Sequence, residues 1–154
     1  MQRENVWDYP RPPRLEPVPQ EVRIVLAGRT IAVTREAMRV LETTHPPVYY
    51  LPPGCFTCEI VPSARRSFCE FKGVAAYASL REGETLAEDC AWSYPDPTPA
   101  FAAMRDYLAV YPQAMDACFV DGEQVTPQPG GFYGGWITSN LVGPFKGAPG
   151  TLGW

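Results

Sequence analysis

Histidine is almost absent. The chain has one, His45, so a multi-histidine metal site is excluded and a single imidazole remains as a candidate base. Long apolar runs are also missing: nothing approaches the roughly 18 consecutive apolar residues of a membrane-spanning helix. The opening Met1-Gln2-Arg3-Glu4 has no apolar leader, so no export signal and no membrane partner are expected. Charge is sparse, at 19% of residues, with a net charge of −4 and a pI near 5.0. The one basic cluster, Arg65-Arg66, is too short for nonspecific nucleic-acid binding, which needs a cationic face to displace counterions. No Gly-x-Ser-x-Gly turn is present to expose a serine nucleophile. The five cysteines are an odd number without an export signal. Reduced thiols in a cytoplasm are the expectation.

What is abundant is punctuation: 18 prolines and 13 glycines in 154 residues. Proline lacks an amide donor and glycine has little backbone preference, so both shorten regular elements. The length fits one domain with a proper core. A mainly β fold is predicted: short antiparallel strands in two packed sheets or an incomplete barrel, with two small helices. Three parts are expected: a Pro-rich arm over 1–20, a β-rich core over 21–126, and a glycine/aromatic extension over 127–154 packed on the core. Within the core, hairpins are predicted around Gly28, Lys72-Gly73 and Asp121-Gly122. A strand is predicted over 48–51 and another over 86–94. Helices are predicted over 35–42, capped by Thr34, and over 99–111, capped by Thr98 with Phe101, Met104 and Leu108 at helical spacing.

Three segments in order carry a family likeness. They are Ala32 and Glu42 followed by Tyr49-Tyr50-Leu51-Pro52; then Ser67-Phe68-Cys69-Glu70-Phe71-Lys72-Gly73 with Ala75 and Tyr77; then Ala91-Trp92-Ser93-Tyr94-Pro95-Asp96-Pro97. Together they resemble the bacterial and fungal family called domain of unknown function 427, over roughly residues 22–125. Glu70 and Ser67 depart from its more frequent proline and threonine. The resemblance implies a compact, mostly antiparallel β fold and no particular activity. A nucleotidyltransferase-like label sometimes given to that family finds no support here. Such chemistry needs closely placed carboxylates for Mg²⁺ and a glycine-rich phosphate turn. The aspartates include no Asp-x-Asp pair, and no such turn precedes a helix.

Four groupings could carry chemistry. Cys69 and Lys72 are three apart; if the chain turns between them, the ammonium reaches the sulfur and favours a nucleophilic thiolate. A buried, inert cysteine beside a surface lysine is the plainer alternative. Cys55-Phe56-Thr57-Cys58 has zinc-ligand spacing, which Cys69 and Cys90 could complete. No second Cys-x-x-Cys exists, however, so no metal or other cofactor is expected. His45 sits in a Thr-Thr-His-Pro-Pro loop, either as a solvated residue or as a partner for Cys69. Finally, Glu42, Tyr50, Lys72, Tyr77, Trp92 and Tyr94 form the favoured ligand-binding set: aromatic faces, one carboxylate and one ammonium. Their alternative is simple core packing of Trp92 and Tyr94. The expected function is small-molecule binding in that cleft. The competing expectations are an enzyme using Cys69, assisted by Lys72 or His45, and a protein-interaction module built on the two chain ends.

Overall fold

The structure, a computed structural model, describes residues 1–154. The first strands are β1 (Glu4–Asn5), β2 (Arg14–Val18), β3 (Val22–Leu26), β4 (Arg29–Thr34), β5 (Ala37–Leu41) and β6 (Val48–Tyr50). The longest follow as a meander: β7 (Glu59–Cys69), β8 (Gly73–Glu82) and β9 (Thr85–Ser93). Short strands complete the chain: β10 (Ala109–Val110), β11 (Ala117–Val120), β12 (Glu123–Gln124), β13 (Thr126–Pro127), β14 (Trp136–Ile137) and β15 (Leu141–Val142).

They assemble as open sheets ordered β10-β9-β8-β7, β12-β11-β3-β4 and β2-β5-β6, with β13 paired to β14. These pairings are antiparallel. The separate β1–β15 pair is parallel and ties the two chain ends together. The protein is mainly β, and no sheet closes into a barrel. No helix is long and apolar enough to cross a membrane.

Local chemistry explains the hairpins. Two-residue loops match strand twist when both residues take positive φ. Ala27-Gly28 (φ 53° and 73°) joins β3 to β4 in this way, and Asp121-Gly122 (φ 52° and 80°) joins β11 to β12. The strands then sort their side chains by alternation. Tyr49 faces the larger core cluster, with Ile24, Ile31, Leu51 and Trp136, whereas Tyr50 faces a second cluster with Trp92 and Tyr94. Ala91 and Trp92 divide in the same sense. The layer containing β6 and β9 therefore separates a dry core from an aromatic face.

Both predicted helices are corrected. Residues 37–41 form β5, paired with β2 on one side and β6 on the other. Thr34 makes no helix cap; its hydroxyl accepts from the Glu36 amide at 2.9 Å in a tight turn that starts the strand. Helix propensity is a fraction of a kcal/mol per residue, and two ladders of backbone hydrogen bonds override it. Only residues 99–104 of the second helix are helical, as a 3₁₀ turn. Thr98 caps nothing there, since its hydroxyl donates to the Phe71 carbonyl at 2.6 Å. Asp106, at φ 63°, breaks the turn before Ala109 enters β10. The helical content is four short 3₁₀ turns.

The first twenty residues are ordered against the body. β2 pairs with β5 across five residue pairs, and Val6 and Tyr9 pack on Leu41. Arg39, from β5, reaches Glu4 at 2.9 Å and Glu16 at 2.5 Å, so one half-buried guanidinium joins β1 and β2 to β5.

Candidate functional site

The aromatic face opens onto a cavity of about 300 Å³. Its floor comes from alternate residues of β6, β8 and β9, which alternation points to one side of the layer. Tyr50 lies edge-on to Trp92 at 6.5 Å and accepts its indole N–H at 3.4 Å. Tyr77 sits 6.4 Å from Trp92, and its hydroxyl shares a 3.0 Å hydrogen bond with Ser67 on β7. Tyr94 and Tyr111 complete the group, at 6.3 Å from Tyr50 and 4.6 Å from Trp92 respectively. Burial pushes the Tyr50, Tyr94 and Tyr111 hydroxyls up from the usual tyrosine range. They stay protonated at neutral pH, and the Tyr111 hydroxyl donates to the Phe132 carbonyl at 3.4 Å.

Cys69 and Lys72 meet at the β7–β8 turn. Cys69 ends β7 and pairs with Gly73 at the start of β8, leaving Glu70, Phe71 and Lys72 as the loop. Gly73 takes φ 110°, in the region open to glycine. The loop is also clamped to the 95–98 segment, since the Thr98 amide donates to the Lys72 carbonyl at 3.1 Å. With the chain folded back, Lys72 Nζ donates to Cys69 Sγ at 3.2 Å and lies 5.8 Å from the Tyr94 ring centre. Burial works against the charge on Lys72. Tyr50, Cys69 and Glu42 outweigh that effect and hold its ammonium above an ordinary lysine.

The opposite wall is polar. Glu42 pairs with Arg11 of the N-terminal segment at 3.0 Å and forms no ion pair with Lys72, on which it acts only from farther away. Three residues on, His45 is enclosed: its side chain is 12% exposed and packs edge-on against Tyr133 at 4.9 Å. The expectation of a solvated loop histidine is corrected. Gln128 fixes its tautomer. The Gln128 carbonyl accepts from the Gly135 amide at 3.0 Å, while its NH₂ donates to the Lys146 carbonyl at 2.8 Å and to His45 Nδ1 at 3.1 Å. An amide nitrogen only donates, so Nδ1 is the acceptor and Nε2 carries the proton. Burial, helped by the charges of Lys146, Arg11 and Lys72 and opposed by Glu42, pushes the imidazole down to about 4. At neutral pH His45 is an uncharged N–H donor. Thr44 takes φ 74° just before it, held by its amide on the Val6 carbonyl at 3.0 Å and its carbonyl on the Lys146 amide at 2.8 Å.

The C-terminal extension closes the cavity. Gly134 lies directly on the Trp92 indole, and a β-carbon there would overlap the ring. At Gly135 a β-carbon would meet Gln128 and Pro46 at 2.5–2.7 Å. Glycine is required at both places because backbone and side chain share the same space. Trp136 follows at once into the main core, stacked at 4.9 Å on Tyr49. Phe132, Tyr133 and Lys146 are thereby brought to the cavity.

The whole predicted set, Glu42, Tyr50, Lys72, Tyr77, Trp92 and Tyr94, lines this one cavity, together with Cys69 and His45. Sequence reading missed Tyr111, Gln128, Tyr133 and Lys146. The glycine and aromatic density of residues 130–136 was the available signal, but it does not say what the extension covers. The four cysteines considered for zinc do not converge. Cys55 and Cys58 pack with Cys90 on the main core, whereas Cys69 belongs to the second cluster, and no three His, Cys, Asp or Glu side chains gather anywhere.

Residues 14–121 match the family model described as Domain of unknown function (DUF427). The chain belongs to that family. The DUF427 segment starts with β2, earlier than the resemblance alone placed it, and ends with β11 and Asp121. It contains the aromatic floor, Cys69, Lys72, Glu42 and His45, while Gln128, Tyr133 and Lys146 lie beyond it. No curated protein matches the chain.

Proposed function

We propose that this protein binds a small molecule in the cavity floored by Tyr50, Tyr77, Trp92 and Tyr94. One observation carries the reading. The chain has only two lysines and one histidine, and all three line this single space. Chance would scatter such residues over the surface. Lys72, moreover, enters none of the protein's ion pairs. The fold thus keeps an ammonium charged at the cavity without tying it into an ion pair, which fits a role in binding an anionic group. The volume falls at the small end of the roughly 300–1,000 Å³ of ligand pockets, which suits one ring system and not a dinucleotide.

Native mass spectrometry of the purified protein tests this directly. An adduct that disappears on denaturation supports the reading, and its mass identifies the ligand. Lys72→Met is expected to abolish that adduct while leaving the melting temperature nearly unchanged. A large loss of stability would make Lys72 structural and overturn its role.

A second reading rests on the 3.2 Å contact between Lys72 Nζ and Cys69 Sγ. In it Cys69 is a nucleophile, Lys72 stabilises the thiolate, and the same cavity holds an electrophilic substrate. His45 does not fit as the base in this scheme, because Nδ1 is occupied and Nε2 is protonated.

A further inference from the structure

We infer that the ligand is an aromatic monoanion, a carboxylate borne on one ring system, with its acidic head at Lys72 and its ring toward Phe132 and Tyr133. This inference rests on the binding role proposed above and names the ligand's class.

The charge inventory fixes the head. Glu42 is the cavity's carboxylate, and Arg11 neutralises it at 3.0 Å. Lys146 donates to the Trp154 carbonyl at 3.3 Å and lies 5.5 Å from the Tyr133 ring, so it has partners of its own. Lys72 has only a sulfur at 3.2 Å and the edge of reach of the Tyr94 ring. One cation is left without a counterion, and one negative charge satisfies it. Uncharged donors stand by: His45 Nε2–H is 3.9 Å from Glu42, beyond hydrogen-bond distance, and is free to donate. A planar carboxylate accepts from an ammonium and from neutral donors at once. A doubly charged phosphate would leave one charge uncompensated in a half-dry site.

The walls fix the tail. Lys72 lies by the fully buried Tyr50, whereas Phe132, on the extension that closes the cavity, is 70% exposed. Polarity therefore falls from floor to mouth. An acid that enters head first leaves an apolar ring beside Phe132 and Tyr133, which meet edge to face at 5.0 Å and offer faces and edges for packing.

The experiment is a ligand-observed NMR titration of the whole chain with benzoate, benzamide, acetate and inorganic phosphate. Benzoate is expected to bind at least about tenfold more tightly than each of the others, a difference of about 1.4 kcal/mol. Benzamide isolates the charge, acetate the ring, and phosphate the choice of head group. In Lys72→Met the benzoate advantage over benzamide disappears, whereas in Arg29→Met, an exposed position of β4 outside the cavity, it persists. Equal binding of benzamide and benzoate would overturn the anionic head while leaving the cavity's binding role intact. Tighter phosphate than benzoate would overturn the aromatic class. No binding of any probe, together with no adduct in the native mass spectrum, would overturn both readings. The comparison of probes on the unaltered protein decides the matter even where Lys72→Met fails to fold.

Discussion

Gly134 and Trp92 are in van der Waals contact through the glycine's bare α-carbon, with the indole's outer carbons occupying the place of a β-carbon. The extension can lie this low over the cavity only because residue 134 has no side chain. Alanine there has to push the backbone off the ring or move Trp92 out of its packing with Tyr77 and Tyr111. Overpacking of this kind costs about 1–3 kcal/mol. Gly134→Ala is expected to lower the melting temperature and to speed proteolysis within residues 129–135. An unchanged melt would mean that the extension does not rest on Trp92.

His45 gives a pH dependence of definite sign. Its ring is held down at about 4 in the folded protein, against about 6.5 in an unfolded chain. Above pH 6.5 both states are neutral and nothing changes. Between 6.5 and 4 the unfolded state takes up the proton first, so stability falls as pH falls, by about 3 kcal/mol at most. Melting curves across that window should drop further for the native chain than for His45→Gln. Parallel drops would show that His45 is not buried as a neutral ring.

Thr44 combines two costs. A β-branched residue at φ 74° is strained, and its hydroxyl is buried without a hydrogen-bond partner. Glycine removes both, against the extra freedom it gives the unfolded chain. Thr44→Gly is expected to stabilise the protein by about 1 kcal/mol, read as a higher urea midpoint at unchanged slope. A lower midpoint would contradict the strain.

The cysteines should differ sharply in reactivity. Burial pushes Cys55 and Cys90 up to about 11 and Cys118 up to about 12, and it raises Cys58 as well. Thiols held protonated are poor nucleophiles. Cys69 opens onto the cavity beside Lys72. Iodoacetamide near neutral pH should modify Cys69 first, as located by peptide mass spectrometry, and more slowly in Lys72→Met. Uniform labelling of all five would remove the nucleophile reading.

The parts of this fold that were legible in sequence are those decided locally. Gly28 and Asp121-Gly122 mark their hairpins by local chemistry, and Trp92 and Tyr94, two residues apart, fall on one face by alternation. Residues 37–41 were misread because Arg35 to Glu42 are good helix formers, and their strand state comes from partners far away in sequence, β2 and β6. Glu42 lies at the cavity with the aromatic set, but nothing in a Pro-rich segment announces that Arg11 returns to it. The role of the extension was illegible for the same reason. Gly134, Gly135 and Lys146 acquire meaning only against Trp92, Pro46 and His45, contacts that span many tens of residues and leave no periodic trace.

Trp136 sits two residues beyond Gly134, fully buried, with its indole N–H donating to the Val110 carbonyl at 3.4 Å and its amide donating to the Pro47 carbonyl at 2.8 Å. A roof fastened to the main core so close to its span cannot swing. Traffic into the cavity then passes a fixed wall, beside which the exposed ring of Phe132 is the bulk that can turn. Exchange should then be insensitive to whatever opens the rest of the molecule, and bulk at the mouth, more than affinity at the floor, decides which molecules are admitted.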